Sequence, residues 1–217
     1  LIAWYPCAHL GAVAVTTNAR SVADDLTYFS SHAEVVGAIT QPRFASLVAA
    51  SCAGIKWLAV TDTDNGAAPE AGTMPPASES FAGLYGDAGD APLRPADPML
   101  PVGIQYTSGT TSRPKGVVWT HANALWGAKL CALHEDLRPS DVHLTYLPLF
   151  HTNAQAYSVL AALWVGATVV LQPRFSASRF WDVSLRRGCT WTSMVPFCVR
   201  ALMGQEKPAS HSYRYWG

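Results

Sequence analysis

Along this chain, short apolar runs of strand length alternate with stretches in which apolar residues recur every three or four positions. Residues 12–16 read as a strand, and Ser21 with Asp24 three residues on makes a capping box that opens a helix to about Ser31. Residues 34–40 then form a buried strand, Pro42 suits the first turn of a helix through Ala50, and residues 56–61 give the next strand. That is two βα units in succession. Over residues 62–101 the periodicity dissolves into Gly, Ala, Pro, Ser and acidic residues, which predicts a long surface connection with a short helix near Ser80 and no catalytic role.

The pattern resumes with a strand at 102–106, a loop to Gly116, a strand at 117–119 and a helix from about 122 to 133 that begins after Thr120. Residues 142–149 follow as a strand. Asn153 is placed to cap a helix through Val165, Gly166 to end it in a left-handed turn, and residues 167–171 to form a β-branched strand. Ser176 opens a helix ending at Gly188, residues 190–194 make a strand, and Pro196 begins a helix stopping near Gly204. The tail, 205–217, is polar and aromatic without a period. The alternation predicts an α/β fold with a parallel sheet and flanking helices. Three regions divide it: 1–61 with the first βα units, 62–101 as the surface connection, and 102–217.

The most apolar run, 156–171, is short for a membrane span and is interrupted by Ser158 and Gly166, so it reads as a buried helix running into a buried strand. The chain opens Leu1-Ile2-Ala3-Trp4 with no methionine and no basic residue before the apolar stretch, unlike a signal peptide. It reads as a fragment.

Charge adds little. Fifteen basic side chains balance fifteen acidic ones, which predicts no broad pull toward nucleic acid or an anionic membrane. Cys7, Cys52, Cys131, Cys189 and Cys198 are odd in number and widely spaced, which favours buried free thiols in a reducing cytosol over disulfides or zinc. The expected location is cytoplasmic.

Candidate chemistry concentrates in Tyr106-Thr107-Ser108-Gly109-Thr110-Thr111-Ser112-Arg113-Pro114-Lys115-Gly116, a hydroxyl-rich loop closed by one lysine. Hydroxyls at Thr107, Ser108, Thr110 and Thr111 can donate to phosphate oxygens, and Gly109 admits close approach of backbone N–H groups. Lys115 supplies a compact positive charge for β and γ phosphates. Pro114 stands where a P-loop NTPase needs a glycine N–H, which disfavours that class and the kinases with it.

This loop resembles the phosphate-binding signature of the adenylate-forming superfamily, which includes acyl-CoA synthetases. Ser112 sits where a glycine is commoner, and the form it gives resembles that of bacterial ligases of the crotonobetaine/carnitine-CoA ligase type. The segment Tyr146-Leu147-Pro148-Leu149-Phe150-His151-Thr152-Asn153 is similar to the family's aromatic-histidine segment beside the acyl pocket.

The resemblance implies an ATP-dependent acid:CoA ligase. In such a ligase a carboxylate attacks the α-phosphate of Mg-ATP, giving an acyl-adenylate and pyrophosphate, and the thiol of coenzyme A then displaces AMP. It implies Lys115 and His151 as catalytic residues, Thr107, Ser108, Gly109, Thr110, Thr111, Ser112, Lys115 and Gly116 as the nucleotide grip, Phe150, His151 and Asn153 as the substrate pocket, and Thr107 as a contact to Mg2+. Its partners are a small carboxylic acid, ATP and coenzyme A, with a homodimer left open. The family's adenine, ribose and C-terminal segments normally follow the last residue here. A non-catalytic nucleotide-binding remnant or an interaction module therefore stays open beside the ligase.

Overall fold

The computed structural model describes residues 1–64, 74–87, 94–107 and 113–217. The chain separates into two units, Leu1–Trp119 and Thr120–Gly217.

The first unit begins with α1 (Trp4–Leu10), which Gly11 ends in a left-handed turn at φ 72. Then come β1 (Ala14–Thr16), α2 (Ala23–His32), β2 (Gly37–Thr40), α3 (Pro42–Ser51), β3 (Trp57–Val60), the two-residue β4 (Glu79–Ser80), β5 (Pro101–Thr107) and β6 (Lys115–Thr120). Two sheets result, ordered β1-β5-β6 and β2-β3-β4. The β1–β5, β2–β3 and β3–β4 pairings are parallel, as the βα alternation requires. α3 buries Pro42, Ala45, Val48 and Ser51, every third residue, so one stripe of the helix faces the sheet. There Ala45 and Val48 meet Leu26 of α2 and Leu58 and Val60 of β3 in one apolar cluster.

Several boundaries differ from expectation. The Ser21–Asp24 box does not form; Asp25 Oδ2 accepts the Val22 N–H at 3.2 Å, and α2 starts one residue later than that box would set it. After α2, Glu34 takes a positive φ of 51, a turn that delays β2 to Gly37. The short helix expected near Ser80 does form: after the β4 ladder comes a 3-10 helix, Phe81–Leu84, whose Ala82 N–H is accepted by Ser80 Oγ.

The second unit comprises α4 (His121–His134), β7 (Val142–Thr145), a widened helix (Asn153–Leu160) that continues as α5 (Ala161–Trp164), β8 (Thr168–Leu171), α6 (Ala177–Arg187), β9 (Trp191–Thr192), α7 (Pro196–Met203) and β10 (Tyr215–Trp216). Its four strands pair in parallel in the order β10-β9-β7-β8. Thr120 Oγ1 accepts the Asn123 N–H at 3.1 Å and Asn123 Oδ1 accepts the Thr120 N–H at 3.2 Å, a reciprocal cap that starts α4 where the sequence places it.

Both faces of this sheet are covered, the usual condition of a parallel sheet. On one, Leu144 and Tyr146 pack with Phe180, Val183, Cys198 and Leu202 from α6 and α7. On the other, Trp191 packs with Ala132, Ala161 and Ala162, whose small side chains let α4 and α5 approach closely. Gly166 and Gly188 take left-handed φ of 74 and 60 and end their helices as expected.

Candidate functional site

In the first unit, β5 delivers Tyr106 and Thr107 at its carboxyl end, and β6 begins at Lys115. Ser108, Gly109, Thr110, Thr111 and Ser112 lie outside the described residues. Lys115 and Gly116 belong to the strand, whereas the sequence placed them in the loop. Pairing resumes directly after Pro114, which has no N–H to contribute and so marks the last position before the ladder.

Thr107 Oγ1 lies 3.5 Å from the Lys115 carbonyl, a long contact that sets the two loop ends side by side. At Gly116 a Cβ would fall 3.1 Å from Ile104 Cγ2 and 3.4 Å from the Tyr106 ring, so glycine is what lets β6 close on β5 here.

Helix α2 reaches the same ends. Tyr28 Oη donates to the Pro114 carbonyl at 3.0 Å. Tyr106 Oη and His32 Nδ1 are hydrogen-bonded at 2.8 Å. Phe29 stacks on Tyr106 with centroids 4.2 Å apart, and the Arg113 guanidinium lies 5.3 Å from the Tyr28 ring centre. Burial, and secondarily Tyr28, raise the pKa of the Tyr106 hydroxyl. Nothing local in the sequence marks Tyr28 and His32, because their partners lie 86 and 74 residues away.

Lys115 and Arg113 are exposed, and among the described residues no carboxylate comes within ion-pair distance of either. Two unneutralised cations at the feet of one loop suit a polyanion. Magnesium fits less well: Thr107 offers one hydroxyl, and among the described residues no group of three acidic, histidine or cysteine side chains could hold a metal.

In the second unit, β7 ends at Thr145, not at Leu149, because the chain turns at Pro148, whose carbonyl accepts the His151 N–H at 3.0 Å. Phe150 is half-buried and its ring lies 4.1 Å from that of the exposed His151. Asn153 does not cap. Thr152 is already helical, and the Asn153 carbonyl accepts from Ser158 Oγ at 2.9 Å, five residues on, within the widened helix. Such widened turns are rare and recur at functional sites. A depression of about 10 Å³ bordered by Tyr146, Phe175 and Arg174 lies nearby, with room for one water. Phe150 and His151 do not line it.

Asp141 and His143 carried no sequence signal. The Asp141 carboxylate is buried and bonded to Arg214, Thr190 Oγ1 and the Arg138 N–H. His143 is buried within β7, its Nδ1 2.5 Å from Thr145 Oγ1 and its ring 3.9 Å from that of Trp191.

A family model described as AMP-binding enzyme matches residues 1–215. The sulfoacetate–CoA ligase of Cupriavidus necator is 39% identical over 138 residues, covering 63% of this chain and 26% of the relative. A crotonobetaine/carnitine–CoA ligase of Escherichia coli is 30% identical over 220 residues, covering 97% of this chain and 40% of the relative. The inhibitor-bound N-terminal domain of FACL13 from Mycobacterium tuberculosis superposes with a TM-score of 0.81 at 26% identity, over 98% of this chain and 52% of that one. Among the described residues, no helix is long and apolar enough to cross a membrane.

Proposed function

Since the chain belongs to the AMP-binding enzyme family, we propose that the whole protein is an ATP-dependent acid:CoA ligase in which Lys115 grips the polyphosphate of ATP. The observation that carries this reading is the pair of loop ends, where Thr107 and Lys115 stand together with the Lys115 charge unneutralised by any described carboxylate.

The first step joins a carboxylate oxygen of the acid to the α-phosphorus and breaks the bond to pyrophosphate. The second joins the sulfur of coenzyme A to the acyl carbon and releases AMP. Charge builds on the departing pyrophosphate, so the first step needs preorganised donors more than an acid or base. Lys115 meets that need as a fixed cation, helped by the hydroxyls of Thr107, Ser108, Thr110 and Thr111 and by the backbone at Gly109, Ser112 and Gly116. Mg2+ would neutralise phosphate charge, with Thr107 as a minor contact and its main ligands drawn from residues outside those described.

Phe150, His151 and Asn153 border the acyl group in this reading. The relatives' names, sulfoacetate–CoA ligase and crotonobetaine/carnitine–CoA ligase, point to a small polar acid. The chain spans 40% of the second relative's length, and we expect no turnover from the 217 residues alone.

Pyrophosphate exchange tests the reading. The whole protein, given a panel that includes sulfoacetate, crotonobetaine and longer acids, exchanges label into ATP with at least one of them, and Lys115→Ala suppresses it. Exchange undiminished in Lys115→Ala contradicts the assignment.

A further inference from the structure

Both ends of the 107–113 segment are held by one face of one helix. On α2, Tyr28 and His32 are four residues apart and so project from the same side, their rings 5.1 Å apart. His32 takes the end of β5 through the Tyr106 hydroxyl at 2.8 Å, with Phe29 stacked on the same ring. Tyr28 takes the start of β6 through the Pro114 carbonyl at 3.0 Å. The ring of Tyr28 also lies under the Arg113 guanidinium.

The Pro114 carbonyl oxygen belongs to the peptide plane that Lys115 enters by its nitrogen. Holding that oxygen constrains the plane that carries the lysine N and Cα, and with φ at Lys115 set by its place in β6 the direction of the Cα–Cβ bond follows. A cation that stabilises developing charge works best when its direction is set beforehand, since misplacement by about 1 Å costs on the order of a hundredfold in rate. Tyr28 and His32 touch nothing that reacts, and they determine where the groups that do are held.

We propose that Tyr28 and His32 are positioning residues for the nucleotide grip, holding Lys115 and Thr107 in register through the Pro114 carbonyl and the Tyr106 hydroxyl. The inference rests on the reading of Lys115 as the phosphate cation. A helix that packed only for stability would need the aromatic faces but not the two polar contacts, and the distinction can be measured.

The experiment is steady-state pyrophosphate exchange by the whole protein, with MgATP and acid varied in turn. Tyr28→Phe keeps the ring under Arg113 and removes only the hydroxyl. Its KM for MgATP rises about 3- to 10-fold, as expected for one lost neutral hydrogen bond, while the KM for acid stays within about twofold. Tyr106→Phe, which keeps the Phe29 stack and frees His32, shows the same selective rise. In a Lys115→Ala background Tyr28→Phe adds nothing, because the two act through one group. An unchanged KM for MgATP in both aromatic variants, or an equal rise for both substrates, overturns the positioning role while leaving Lys115 as the phosphate cation. Normal MgATP kinetics in Lys115→Ala instead removes the functional reading, and the positioning role falls with it.

Discussion

Arg214 closes on Asp141 from the far end of the second unit: its Nε donates to Oδ1 at 2.8 Å and its Nη2 reaches Oδ2, on a carboxylate only 4% exposed. The same Nη2 donates to the Asp136 carbonyl at 2.7 Å. Arg214 thereby anchors the segment that becomes β10 to the turn before β7. The Arg214 hydrogen bond, aided by Thr190 and the Arg138 N–H against the cost of burial, holds the Asp141 pKa down to about 2 from 3.8.

A carboxylate whose folded pKa is lowered stabilises the fold above its unfolded pKa, and that contribution disappears as pH falls through the folded one. Asp141→Asn therefore lowers the unfolding free energy by about 2 kcal/mol at pH 7. Denaturant melts of both proteins should converge between pH 4 and pH 2, roughly the window between the two pKa values. A variant as stable as the parent at pH 7 would contradict the buried-pair assignment.

His143 gives a second, separable pH dependence. Burial lowers its pKa to about 3 from 6.5, so the neutral ring is what the fold accepts. Here too the lowered folded pKa means stability present above pH 6.5 and lost below it, at about 1.4 kcal/mol per pH unit until the folded pKa is approached. His143→Gln removes that slope between pH 6 and pH 4, roughly the range before Asp141 begins to titrate. Melting curves of wild type and variant that run parallel through this range would show that His143 is not the group responsible.

The βα alternation was legible because it depends on local periodicity, and Thr120, Pro42, Gly166 and Gly188 mark helix ends by chemistry that acts within a turn. What the sequence could not show depends on distant partners. β10 has two residues, too few for any period, and is held by Arg214 and by pairing with β9. Asn153 looked like a cap, but the helix already includes Thr152 and widens around the Ser158 hydroxyl. In the candidate site the lysine and the hydroxyl run were visible as a motif. The aromatic grip of α2 on its two ends was not, since Tyr28 and His32 look like ordinary helix residues until Tyr106 and Pro114 meet them.

On the acyl side, the exposed His151 packed against Phe150 carries a prediction of its own. In the whole protein His151→Ala raises the KM for the acid about tenfold, in line with the loss of one pocket contact. The KM for MgATP stays within about twofold. Initial-rate measurements with each substrate varied would check this, and an unaltered KM for the acid would place His151 outside the pocket.

The most direct test of the central claim is equilibrium binding of MgATP to the whole protein by titration calorimetry, with and without the Lys115 ammonium group. Loss of one charge-assisted contact weakens binding about 10- to 100-fold in Lys115→Ala. Equal affinity in the two proteins, or no affinity in either, would contradict the assignment of this loop to the polyphosphate.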